Sequence, residues 1–298
     1  MNESVAQLNT VRHQSAWGIA LRQFRRHRLA VFSFVLLLTF TLMAVFASVI
    51  SPYNPNDIDP RASNVNRGFP QPPTLEHPLG TDNFNRDQLS RALHGLRVSL
   101  AVGFFAMLIS VGLGITVGAV AGYAGGLLDN VLMRIVDIFL SVPSFIFFLA
   151  LNALLAPSIW NVIFILGAFS WMDVARLVRA EFLALKEREF IISARAIGAT
   201  PRHIVLRHLL PNALAPILVA ATLAIPTAIL SESALSFIGL GVPPPDASLG
   251  NMLQGAKAWL VNAWWMWLTP GVIISLIVLA FNFIGDGLRD AFDPTLRR

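Results

Sequence analysis

Arg176–Asn212 reads RLVRAEFLALKEREFIISARAIGATPRHIVLRHLLPN, a charged segment between two long apolar stretches. With seven Lys and Arg between 176 and 207 it cannot lie in lipid. Its punctuation predicts two short helices around a tight bend. Gly198 is placed to end the first, because glycine tolerates the left-handed backbone of a helix C-terminus. Thr200 is placed to cap the second, with Pro201 at the first helical position, where the missing N–H costs nothing. An apolar chain that presents a compact charged hook on one side of a bilayer is built to be gripped there.

Working outward, composition supports the bilayer. The 298 residues are 55% hydrophobic and 13% charged, against about 25% charged in soluble domains, and the mean hydropathy is +0.64. The fold class expected is an all-α integral membrane protein. There are no cysteines, which excludes disulfides, thiolate catalysis, iron–sulfur clusters and Cys-based zinc sites. The pI near 10.6 fits basic cytoplasmic flanks rather than nucleic acid.

Six spans are predicted, at about 29–50, 98–122, 131–154, 159–178, 213–238 and 270–288. Residues 1–28 read as a polar tail with five arginines, Arg12, Arg22, Arg25, Arg26 and Arg28. The uncharged run Leu29–Ile50 would reach about 33 Å as a helix, long enough for the hydrocarbon core and too long for a cleaved signal peptide. The domain reading is a tail at 1–28, a first transmembrane helix at 29–50, an extracytoplasmic segment at 51–96, a five-helix core at 97–290 carrying the hook at 179–212, and a tail at 291–298. An even number of spans places both termini on one side. That side would hold sixteen Lys and Arg: five in the N-terminal tail, one near 134, seven in 176–207 and three at the C-terminus. The other would hold six: Arg61, Arg67, Arg86, Arg91, Arg97 and Lys257. The positive-inside rule makes the first side, with the hook, cytoplasmic.

The outer segments are turn-rich, with SPYNPNDIDP (51–60) and FPQPP (69–73). Trp259, Trp264, Trp265 and Trp267 fit an interfacial belt or an aromatic wall facing substrate. In the second span Ala106, Ser110, Gly114, Gly118, Gly122 and Gly126 recur every four residues. Such a stripe admits a closely packed helix, from this chain or from a partner.

No G-x-x-x-x-G-K-[ST] phosphate loop, H-E-x-x-H metal motif or G-x-S-x-G elbow is present, and the six His are scattered. No metal site is expected. The acids in or near spans are Asp137, Asp173, Glu232 and Asp286. Arg134–Asp137, Asp173–Arg176 and Asp286–Arg289 have the spacing of helical ion pairs. Glu232 has no basic neighbour in sequence. It is a pathway candidate, or else a buried or hydrogen-bonded side chain.

The hook resembles the cytoplasmic EAA loop of permease subunits in bacterial ATP-binding-cassette (ABC) importers: Glu-Ala-Ala, a Gly, then Leu-Pro. Here Ile192, Ser193 and Ala194 stand at the triplet, followed by Gly198 and Leu210-Pro211. Ile192 replaces the glutamate, and Glu189 lies one turn earlier. HPLGTDNFNRDQLSR (77–91) is similar to a stretch of the dipeptide/oligopeptide/nickel permeases, with Asn85 in place of the usual Gly. GYAGGLLDNVLMRIVDIFLSVPS (122–144), ALSFIGLGVPPPDASLGNML (234–253, with Leu249 where Trp is usual) and LAFNFIGDGLRDAFDP (279–294) extend the match. Asn tolerates positive φ best after Gly, so the turn at Asn85 is expected to survive.

The resemblance implies a type I ABC importer transmembrane domain of the C-type subunit, in a bacterial cytoplasmic membrane. It implies a B-type permease as partner, two ATPase subunits that bind the ATP and Mg, and an extracytoplasmic binding protein. The chain itself would be non-catalytic. It also implies a coupling role for Glu187, Arg188, Glu189, Ser193, Ala194, Arg195, Gly198, Ala199, Thr200, Pro201 and Arg202. Peptides are the expected cargo, with nickel chelates or another small solute as alternatives. An ion-driven carrier relying on Glu232 is the competing class, and the lack of an inverted repeat counts against it.

Overall fold

The computed structural model describes residues 16–60 and 69–292. Arg12, Arg61, Arg67, Arg297, Arg298 and residues 293–298 of the expected C-terminal tail lie outside the described residues. The fold is helical, and among the described residues the only β feature is an isolated bridge between Thr81 and Asp87.

The expected N-terminal tail already contains a helix, α1 (Ala16–Arg26), followed by α2 (Arg28–Val45) and the short α3 (Ala47–Ile50). His27 makes the corner, its Nδ1 accepting the Ala30 N–H at 3.1 Å to cap α2. Phe24 packs beside Gly287 near the far end of the chain, while Arg22, Arg25 and Arg26 stay exposed. The apolar pattern of the helix therefore has a partner, and its basic face remains solvated.

The central element is α4 (Gln88–Ala124), 37 residues where only 98–122 was expected as a span. At about 55 Å it exceeds the hydrocarbon core, so its polar first turns stand outside the apolar layer. Asp87 caps it by accepting the Ser90 N–H at 2.7 Å and the Ser90 hydroxyl at 2.6 Å. Five helical segments are long and apolar enough to cross a membrane, and a bent helix pair makes a sixth if it crosses as one span.

That pair is α5 (Gly126–Leu140) and α6 (Ser144–Leu154), bent by 77°. The span expected at 131–154 is thus two helices rather than one. Pro143 lacks an N–H and disfavours helical backbone at the residue before it, so the helix breaks at Ser141–Pro143. The fourth span is also two pieces, α7 (Ile159–Ala168) and α8 (Met172–Lys186). The hook then contributes α9 (Glu189–Ala196) and α10 (Pro201–His203) before the long α11 (Leu210–Phe237). On the opposite side lies α12 (Leu249–Ala256), and α13 (Trp264–Phe292) closes the bundle.

The small-residue stripe packs within the chain, against α8. A Cβ on Gly114 would lie 2.5 Å from the Val174 Cβ, one on Gly118 2.4 Å from the Ala175 carbonyl, and one on Gly122 2.7 Å from the Phe182 Cβ. Ser110 donates to the Ser170 carbonyl at 2.8 Å. Gly126 leaves the stripe: it has φ +58° and open space around it, and it begins the next helix.

The ion pairs also differ from those expected. Asp137 takes Arg176, and Asp129 takes Arg179 in a two-pronged contact at 2.5 and 2.7 Å. Both link α5 to α8, and Lys186 donates to the Tyr123 carbonyl at 2.8 Å at the end of α4. Arg134–Asp137, Asp173–Arg176 and Asp286–Arg289 do not form. A local i,i+3 pair contributes only a few tenths of a kcal/mol, whereas arginine reaching a neighbouring helix can grip both carboxylate oxygens.

Candidate functional site

The hook has the form its residues dictate. Gly198 adopts φ +82°. Its N–H donates to the Arg195 carbonyl at 3.0 Å, and the Ala199 N–H donates to Ala194 at 3.0 Å. That pair of bonds is a Schellman motif, which occupies the last carbonyls of α9. Thr200 then caps α10, its Oγ1 accepting the His203 N–H at 3.4 Å, with Pro201 at the first position. The second hook helix does not end. It runs through a widened turn, Ile204–Leu209, straight into α11. There Leu210 donates to the carbonyl of Val205, five residues back, and the next residue, Pro211, has no N–H to donate.

One face of the hook is buried. Ile191, Ile204 and Leu209 are fully enclosed and pack with Val174, Val178 and Phe182 of α8. Ala194, at 7% exposure, belongs to this face, and Ala199 is half-buried. These two hold the hook on the bundle from its inner face. Glu187, Arg188, Glu189, Ser193, Arg195, Gly198, Thr200, Pro201 and Arg202 are exposed. Sequence reasoning missed the apolar part of that surface: Phe190, Ile192 and, at 86% exposure, Ile197. An isoleucine directly before a helix-ending glycine was the available signal.

Glu232 stands toward the opposite end of α11 and is fully buried. The Ser236 hydroxyl donates to its Oε1 at 2.6 Å and the Ser99 hydroxyl to its Oε2 at 3.2 Å. These serines accept in turn: Ser236 from the Val242 N–H at 3.1 Å, Ser99 from the Leu249 N–H at 3.3 Å. One carboxylate thus ties α4, α11 and the start of α12. It lines none of the four cavities described, although Ser236, which donates to it, lines one of them. Of the readings open from the sequence, the structure shows the hydrogen-bonded one, a buried knot between helices. Leu249, at the position usual for Trp, is fully buried beside it and needs no polar partner for its side chain.

The end remote from the hook carries an ordered polar segment. Asp82 accepts from the Phe84 N–H (2.8 Å), the Arg86 N–H (3.0 Å) and Arg86 Nε (2.7 Å), while Arg91 lies 3.3 Å away. Asn85 adopts φ 57°, so the turn survives without glycine. Trp265 is buried and donates to the Thr81 carbonyl at 3.1 Å, pinning this segment to α13, whereas Trp264 and Trp267 are exposed as in a belt.

His77 is enclosed between two carboxylates, Nδ1 at 2.9 Å from Asp87 and Nε2 at 3.1 Å from Asp59. Burial opposes its protonation, but the hydrogen bonds and charges of Asp87 and Asp59 outweigh this and raise its pKa above the ordinary 6.5. A raised pKa means a contribution that is complete below the unfolded value and lost as pH rises through the folded one. Amide hydrogen exchange in residues 51–60 and 69–88 should therefore be slower near pH 6 than near pH 8.5, after correction for intrinsic rates. His77→Asn should flatten that difference; an unchanged difference would show that His77 is not its source.

A bundle of membrane-length helices, with a rigid charged hook at one end and a folded polar segment at the other, defines a polytopic transport component. A family model described as the binding-protein-dependent transport system inner membrane component matches residues 114–298, and the N-terminal TM domain of oligopeptide transport permease C matches 15–73. The chain belongs to this family of importer permeases. Among its relatives, the dipeptide transport system permease protein DppC of Alkalihalophilus pseudofirmus is 41% identical over 283 residues, covering 95% of this chain and 91% of the relative. A Brucella suis biovar 1 protein named for a peptide permease is 42% identical over 274 residues, covering 91% and 89%. The inward-facing MetNI methionine ABC transporter is similar in structure, with TM-score 0.56 and 25% identity over 68% of this chain and 96% of that one. The type I ABC importer permease fold expected from the resemblance is thereby established.

Proposed function

We propose that this chain is one of two permease subunits of a peptide importer in the bacterial cytoplasmic membrane, and that its hook seats in an ATPase subunit. The supporting observation is the hook itself. Its shape is fixed by the Gly198 and Thr200 hydrogen bonds, its inner face is packed on α8, and its second helix continues into α11. A push on the exposed face moves two membrane helices as a body. ATP and Mg belong to two partner ATPases, and the chain performs no chemistry. The polar segment around His77 and Asp82 faces the binding protein, and the hook and both termini face the cytoplasm. The peptide cargo rests on the names of the relatives.

Because the chain has no cysteine, single thiols report side and partner cleanly. Ile197→Cys should cross-link to a co-expressed ATPase subunit and label with an impermeant maleimide only after cells are opened. Asp246→Cys should label in intact cells and not cross-link to the ATPase. Labelling in the reverse order would overturn the orientation. Failure of Ile197→Cys and Arg202→Cys alike to cross-link, in an assembly that still transports, would overturn the coupling role.

A further inference from the structure

A cavity of about 510 Å³ opens where α7 breaks from α8, bounded by α4, α6 and α11. Its wall is apolar, with Met107, Phe145, Phe148 and Leu223 among its residues, and is dotted with hydroxyls. Among the described residues, Asp173 is the only ionisable one lining it. Asp173 is exposed, in the first turn of α8 and midway along the membrane-length segment Ile159–Lys186. The nearest basic side chain along the helix, Arg176, is engaged by Asp137. Among the described residues, no ion pair or hydrogen bond engages the Asp173 carboxylate. Two of the hydroxyls are committed to backbone: Ser110 donates to Ser170 at 2.8 Å and Thr227 to Leu223 at 3.0 Å.

A carboxylate at membrane depth is costly, and such residues face a cavity or a partner charge. Here the cavity is present and the countercharge is not, so the site suits a cation that comes and goes. We propose that Asp173 is the pathway carboxylate of this permease and meets the ammonium group of a passing peptide, its amino terminus or a basic side chain. The hydroxyls and the apolar wall take the uncharged remainder without holding it. This rests on the peptide-importer reading. A neutral cavity would pass anionic and cationic peptides alike, whereas a single negative charge in a weakly screened site favours cations.

The test uses the complete importer in proteoliposomes with ATP and its binding protein, comparing initial uptake of Lys-Ala and Glu-Ala. The binding protein is the same for every variant, so a change in the ratio of the two rates belongs to the permease. Asp173→Asn should lower the Lys-Ala to Glu-Ala ratio by about tenfold, and Asp173→Glu should restore it. A ratio within about twofold of wild type in Asp173→Asn, or an equal fall for both peptides, would overturn the proposal and leave the importer reading intact. Absence of ATP-dependent uptake of either peptide by the wild-type assembly would overturn both.

Discussion

Gly198→Pro should abolish ATP-driven uptake while leaving the chain folded in the membrane. Gly198 sits at φ +82°, and proline is locked near −65°. The substitution also deletes the N–H that reaches the Arg195 carbonyl at 3.0 Å, and it misdirects the Ala199 N–H that reaches Ala194. Both bonds of the Schellman motif are lost, at a local cost of about 3 kcal/mol or more. No neighbouring atom lies within 4 Å of a Cβ built at Gly198, so the damage is conformational and confined to the bend. Ile197 and Arg202 then point elsewhere, and the hook cannot fill a preformed groove. Uptake should fall at least about a hundredfold if the misplacement costs the contact about 3 kcal/mol. Gly198→Ala, strained by about 1–2 kcal/mol in the left-handed region, should retain part of the activity. Wild-type uptake by Gly198→Pro in proteoliposomes would show that the bend does not couple.

Glu232→Ala should strongly destabilise the bundle interior. Removing the carboxylate leaves the Ser236 and Ser99 hydroxyls without their acceptor in a fully buried site. It also opens a void between α4, α11 and α12. An unsatisfied buried polar group costs about 1–3 kcal/mol, and the lost packing adds to it, for a total of about 3–5 kcal/mol. The measurement is thermal unfolding in detergent, where Glu232→Ala should melt well below wild type. Glu232→Gln keeps one acceptor oxygen and should lose less. Wild-type melting of Glu232→Ala together with lost uptake would return Glu232 to the pathway.

Much of the hook was legible in the sequence because its determinants are local. A positive-φ glycine, a threonine cap and a first-turn proline act within a few residues of themselves, and the structure holds all three as read. Asn85 is legible for the same reason. The broken third span was also open to a local reading, since Pro143 stands at the bend, but a hydropathy window averages over it. The ion pairs were not open to such a reading. Spacing proposes neighbours on one helix, while Arg176 and Arg179 choose acids 39 and 50 residues away on another.

The sequence by itself determined the membrane class, the approximate position of the long apolar helices, the charged hook and its bend, and the family resemblance. All of these depend on composition, periodicity or residue order. Only the tertiary structure decided that the glycine stripe faces α8, that Glu232 is knotted and Asp173 open, and that Ala194 faces inward while Ile197 faces out. Each of these depends on which helix approaches which face, and that is set by packing between segments far apart in the chain. The hook shows both contributions in one element. Its residues fix the curve of the bend, and the helices beneath it decide which side of the curve is left for a partner.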